Sequence, residues 1–144
     1  MSFLSALDIS GSALTAQKLR MDIISQNLAN ANTTRTEDGG PYIRQTVVLT
    51  PADVSGTSAA GSISGTGGAQ GVSVSQIVED TEGLKSVYDP THPDADENGY
   101  VAMPNVDTVK EMIDMISATR SYEANITAFN AVKQMAANAL DIGR

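Results

Sequence analysis

Residues 27–45 read NLANANTTRTEDGGPYIRQ, and the fold turns on whether this stretch ends a helix. Upstream of it, Leu7, Leu14, Met21 and Leu28 recur every seven positions, with Leu4, Ile24 and Ala31 offset by three on the same side. Asp8, Lys18, Arg20 and Asp22 occupy the remainder. This spacing predicts an amphipathic helix of roughly 28 residues, about 42 Å long at about 1.5 Å per residue. Asparagine tolerates left-handed backbone angles and its amide can cap freed carbonyls, so Asn30 or Asn32 can end the helix while Thr33 and Thr34 turn the chain outward. Asn27, Asn30 and Asn32 together are more than one helix end requires.

A second heptad pattern occupies the C-terminal segment. Met115, Tyr122, Phe129 and Ala136 recur every seven, and Ala118, Asn125, Val132 and Ala139 fill the three-residue offset. Alternating spacings of three and four make a seam. The helix is expected to start at Pro104-Asn105 with Asn105 as N-cap, Asp107 and Glu111 near the positive dipole end, and Gly143 closing it. Asn125 falls on the seam, where a buried amide without a partner costs roughly 1–3 kcal/mol. Two readings stay open for Asn27, Asn30, Asn32 and Asn125: local capping, or amide pairing across helices or subunits that sets register.

Between the helices, YIRQTVVLT (residues 42–50) places Ile43, Val47 and Leu49 on one side, and GVSVSQIV (71–78) alternates Val72, Val74 and Val78 against serines and Gln76. These predict two strands pairing as a hairpin. The joining residues SGTSAAGSISGTGGAQ are too poor in large apolar groups to offset their ordering entropy alone. The expected fold is therefore mainly α with a small β insert: a coiled-coil helix over 1–34, an insert with a hairpin and an extended loop over 35–104, and a second coiled-coil helix over 105–144.

Composition narrows the classes of function. Aromatics are 4% of 144 residues, with no Trp, so an isolated globular core lacks its usual anchors and long helices packed on partners fit better. The net charge of −8 lies almost wholly between the helices, and no Lys/Arg cluster exists to neutralise phosphates, which excludes nucleic-acid binding. There are no cysteines for disulfides or thiolate metal sites. No 18-residue apolar run predicts a membrane span, and MSFLSALDISG lacks the basic segment of a Sec-type signal, the first cation being Lys18. By pattern alone this reads as cytoplasmic.

The acidic turn YDPTHPDADENGYVAMPN sets Asp94, Asp96, Asn98 and Gly99 at positions one, three, five and six of a calcium loop. Position twelve is then Asn105 instead of a bidentate Glu, and Pro90, Pro93 and Pro104 preclude long flanking helices. A small calcium-binding or regulatory module using loop 89–99 is kept as the alternative to a solvated contact loop. His92 is the sole histidine, with no nucleophile beside it in sequence, and GTGGAQG lacks the Lys and following helix of a phosphate loop. No enzyme chemistry, cofactor or metal is predicted.

NLANANTT after the first heptad helix resembles the N-terminal signature shared by bacterial flagellar rod and hook axial proteins, and RSYEANITAFNAVKQMAANAL resembles their C-terminal helix. LKSVYDPTHPDADENGYVAMPNVDTVKEMIDMISATRSYEAN is similar to a proximal-rod subunit of that family. The resemblance covers nearly the whole chain and is weakest over residues 55–71. It implies a structural, non-enzymatic rod subunit of the basal body, in the periplasm, whose paired helices line the central tube. It implies export by the flagellar type III system without a cleaved signal peptide, which displaces the cytoplasmic reading. Implied partners are further copies of itself, FlgB, FlgF, FlgG, FliE and the MS-ring protein at the rod base, with the surrounding P ring as another neighbour.

On this footing Leu7, Leu14, Met21, Ile24, Leu28, Met115, Tyr122, Ile126, Phe129 and Val132 are expected to pack the helices and the assembly. Asn27, Asn30, Asn32 and Asn125 are expected to set register or cap, and Tyr88, Asp89, Asp96, Tyr100 and Asn105 to contact neighbouring subunits.

Overall fold

The computed structural model describes residues 3–37, 39–53 and 70–142. Helix α1 (Phe3–Ala29) leads into strands β1 (Arg44–Asp53), β2 (Gln70–Asp80), β3 (Lys85–Tyr88) and β4 (Tyr100–Met103), and helix α2 (Thr108–Ile142) follows. The architecture is mainly helical, with two small antiparallel sheets between long terminal helices. The expected closing residue Gly143 and most of the Gly/Ser-rich stretch lie outside the described residues.

The helices run antiparallel and packed together. Asn27 meets Glu111 at one end, and further along Met21 Sδ lies 3.6 Å from the Thr119 hydroxyl. Small side chains let the backbones approach: Ala16 on α1 and Ala118 on α2 are both buried, beside Ile23 and Ile24. The seam read from the α2 sequence is the less exposed side of that helix from 115 through 118, 122, 125, 129 and 132 to 136, whereas its last member, Ala139, is exposed.

α1 ends with an asparagine amide bond but not with a left-handed asparagine, since no described non-glycine residue has a positive φ. The Asn30 amide donates to Gln26 O at 2.9 Å, returning to the last turn, while its Oδ1 accepts from the Thr33 hydroxyl at 3.2 Å. Gly39, at φ 85°, then closes a tight turn in which Thr36 N–H donates to Gly40 O at 2.8 Å. The other helix start differs from expectation. Asp107, not Asn105, is the N-cap of α2: its Oδ1 accepts from Val109 N–H at 3.0 Å and Lys110 N–H at 3.4 Å.

β1 and β2 form the expected hairpin, packed on α1, where Val72 N–H donates to Ser12 Oγ at 3.1 Å. The register jumps from Val48↔Gln76 to Leu49↔Val74, leaving Ser75 as the extra residue of a bulge. One unpaired residue moves everything beyond it to the opposite face of a two-residue repeat. Val78 therefore falls on the face opposite Val72 and Val74, where strict alternation predicted a shared face, and both Ile77 and Val78 are exposed, at 46% and 41%.

A second hairpin replaces the expected extended loop. β3 and β4 pair from Lys85↔Met103 to Tyr88↔Tyr100, and the acidic turn is its tip. Four-residue strands carry too little alternation to be read from sequence. Val101 on β4 and Val106 just beyond it are buried, at 1% and 6% exposure.

Candidate functional site

The asparagine on which the opening stretch begins sits at the centre of a buried polar junction. Asn27 is 1% exposed, and its amide nitrogen donates to Gln45 O at 2.8 Å and to Glu111 Oε2 at 3.1 Å. Its carbonyl accepts from the Tyr42 hydroxyl at 2.9 Å and from Gln45 N–H at 3.0 Å. A side-chain amide has two donors and two lone pairs, so Asn27 is fully used. Glu111 is 0% exposed, and its Oε1 accepts from Arg44 Nε at 2.7 Å. Asn105 extends the network: its Oδ1 accepts from Arg44 N–H at 3.0 Å while its amide donates to Asp80 O and to Glu82 O.

Burial, with the nearby Glu111 and Glu79 carboxylates, pushes the Tyr42 phenol above its ordinary value, which keeps it a donor to Asn27. Each charge-assisted bond here contributes about 1.5–3 kcal/mol, against several kcal/mol to desolvate a buried ion. The junction adds little net stability, but removing one partner strands a buried charge. A cleft of about 310 Å³ opens beside it, lined by Arg20, Ile23, Ile24, Val47, Leu49 and Asp114 among others.

Of the side chains expected to pack, Leu7, Leu14 and Met21 are partly covered and Ile24 is buried, whereas Leu28 is 38% exposed. On α2, Met115, Tyr122, Phe129 and Val132 are partly covered, and Ile126 faces outward at 38% exposure. The asparagines divide. Asn125 donates to Ser121 O of its own helix at 2.8 Å, Asn30 caps α1, and Asn32 is exposed; of these four, among the described residues, only Asn27 pairs across helices.

At the tip of the second hairpin two carboxylates, Asp94 and Asp89, are tied to separate partners. Asp94 Oδ2 accepts from the Thr34 hydroxyl at 2.9 Å, and its Oδ1 lies 3.6 Å from Arg35. Asp89 Oδ1 accepts from the Thr91 hydroxyl and amide at 2.7 and 3.0 Å, and these bonds hold its carboxyl below the ordinary value. His92 Nδ1 accepts the Asp94 N–H at 3.1 Å, a turn-stabilising role. Among the described residues no three His, Cys, Asp or Glu side chains gather as a metal site requires. The Tyr88 and Tyr100 rings meet edge to face at 5.3 Å and are 64% and 46% exposed.

Comparison with known proteins places these features. Residues 7–35 match the family described as "Flagella basal body rod protein", and residues 97–142 match "Flagellar basal body rod FlgEFG protein C-terminal". The flagellar basal-body rod protein FlgC of Bacillus subtilis (strain 168) is 51% identical, with all of both chains covered. FlgC of Borreliella burgdorferi is 46% identical over 99% of this chain and 98% of its own, and FlgC of Salmonella typhimurium is 43% identical over all of both. The chain belongs to the FlgC family. It is a structural subunit of the flagellar basal-body rod, a reading that the acidic-loop calcium alternative does not share.

The two matched segments of this FlgC-family chain meet at the junction, since Asn27 lies in one and Glu111 in the other. Away from the seam, α2 carries a second apolar stripe: Val109, Met112, Ile113 and Ile116, from 48% to 61% exposed. Sequence reasoning missed it, although its spacing of i, i+3, i+4, i+7 was available as a signal. No described helix is long and apolar enough to cross a membrane.

Proposed function

We propose that this chain is a proximal-rod subunit that polymerises through its terminal helices, forming part of the torque-transmitting shaft and of the export-channel wall, without enzymatic activity. One observation carries the reading. Among the described residues the buried apolar side chains are few (Ala16, Ile23, Ile24, Val101, Val106, Ala118), while Leu4, Val109, Met112, Ile113, Ile116, Met135 and Leu140 are each about half exposed or more. Each such side chain contributes about 1.5–3 kcal/mol on full burial, so the helices gain their stability by packing among neighbours.

In this reading segments 1–34 and 105–144 form the coiled-coil core, and segment 35–104 stands outside it. Leu7, Leu14, Met21, Met115, Tyr122, Phe129 and Val132 hold the helices, Leu28 and Ile126 extend the contact to neighbours, and Asn27 sets the register. The neighbours are further copies and the rod proteins FlgB, FlgF and FlgG, with FliE and the MS-ring protein at the base and the P ring around the rod. The subunit reaches the periplasm through the flagellar type III system.

The test is Phe129→Asp, which puts a charge in the seam and leaves the N-terminal segment intact. The expected result is a chain that is exported but absent from isolated basal bodies, in non-motile cells. Normal swimming contradicts the role given to the seam.

A further inference from the structure

We propose that the outward stripe of α2 (Val109, Met112, Ile113, Ile116) receives the tyrosine-bearing acidic turn of a second copy of this chain, a head-to-tail contact resting on the rod-subunit reading. Within one chain the two surfaces are unused. The stripe is 48–61% exposed, and Tyr88 and Tyr100 at the hairpin tip are 64% and 46% exposed. The turn is anchored to the loop after α1 through Thr34 and Arg35, which hold Asp94.

The turn has the build of a preformed anchor. Gly99 sits at φ 78°, and a Cβ there would come within 3.0 Å of Tyr88 Cε2, so the glycine makes room for the ring. Asp89 N–H donates to Gly99 O at 2.9 Å, Gly99 N–H to Asp96 O at 2.8 Å, and Asp96 N–H to Tyr100 O at 2.9 Å. Exposed aromatics on a rigid turn lose little entropy on docking, which is why tyrosines dominate binding energy at interfaces.

Charge selects the occupant. Arg120 is exposed one turn beyond Ile116 in line with the stripe, Lys110 is exposed beside its start, and neither takes part in an ion pair among the described residues. Asp96 and Glu97, exposed at the tip of the turn, are equally unpaired. A cation-flanked apolar stripe and a carboxylate-flanked tyrosine pair complement one another, and a second copy supplies the missing half of each. Because the two surfaces differ, the contact is head-to-tail and can repeat from subunit to subunit, as a helical array requires.

The chain has no cysteine, so cross-links report cleanly. Cells co-express a Lys110→Cys chain and an Asp96→Cys chain with different tags, and isolated basal bodies are oxidised. The expected product is a disulfide-linked pair carrying both tags, with no pair from either chain expressed alone. Adding Arg120→Glu to the first chain lowers the yield about fivefold, and Glu97→Lys in the second restores it. Basal bodies that contain both chains but give only same-tag pairs, cross-links to another rod protein or no cross-link overturn the contact while leaving the rod reading intact. Absence of the unsubstituted chain from basal bodies overturns the rod reading itself, and this proposal with it.

Discussion

Asn27 and Glu111 share a 3.1 Å hydrogen bond across 84 residues of sequence, where neither side chain reaches water. The Asn27 amide nitrogen faces a carboxylate, so replacing it with oxygen sets two carboxylates against each other. Asn27→Asp is therefore expected to destabilise more than Asn27→Ala, although it keeps the shape. The Ala variant costs about 2–4 kcal/mol from the groups left unpaired. In the Asp variant, repulsion and burial raise a carboxyl pKa in the folded state, so that state binds more protons than the unfolded chain, and stability rises as pH falls. Urea midpoints at pH 5 and pH 7.5 check this; a pH-independent penalty counts against the assigned bond.

Arg44 and Glu111 form the charged half of the junction, with Arg44 17% and Glu111 0% exposed as side chains. Arg44→Met leaves a buried carboxylate with only the Asn27 amide, and a loss of about 3–5 kcal/mol is expected. The double variant Arg44→Met with Glu111→Met removes both charges and is expected to be closer to wild type than either single change. A denaturation double-mutant cycle measures the coupling, and strict additivity would argue against the pair.

The raised Tyr42 pKa has a stability consequence at alkaline pH. Below its ordinary value of 10.0 the phenol is protonated in both states. Above it the unfolded phenol loses its proton first, so stability falls as pH rises. Tyr42→Phe is expected to cost about 1 kcal/mol at neutral pH through the lost bond to Asn27 and to flatten the decline between pH 9 and 11. Chemical denaturation across that range gives both numbers.

Gly99→Ala tests the seat of the tyrosine pair. The new methyl would meet Tyr88 Cε2 at 3.0 Å on a backbone at φ 78°. The turn must shift, at about 1–2 kcal/mol. Loss of the edge-to-face contact between Tyr88 and Tyr100 is expected as a changed near-ultraviolet circular dichroism band with far-ultraviolet helicity retained.

The two helices and the first hairpin were legible because each obeys a local period. The apolar residues of α2 repeat at spacings of three and four, and burial of one side follows from helix geometry alone. The second hairpin was not legible, since KSVY and YVAM are four-residue segments whose pairing depends on the turn between them. The Val109 stripe was overlooked for another reason: α2 carries two apolar sides, and its spacing does not say which one α1 covers.

By itself the sequence determined that two long amphipathic helices flank a small β insert, and its NLANANTT and YDPTHPDADENGY motifs carried the likeness to the flagellar rod family. Only the tertiary structure decided what each asparagine does. Asn27, Asn30 and Asn32 differ by a few residues in one stretch, yet the first is saturated by Tyr42, Gln45 and Glu111, the second caps its own helix, and the third is exposed. Capping is chemistry within one turn of helix and can be read from neighbours. A buried amide is satisfied by groups that the fold brings from far along the chain, and their identity is set by packing.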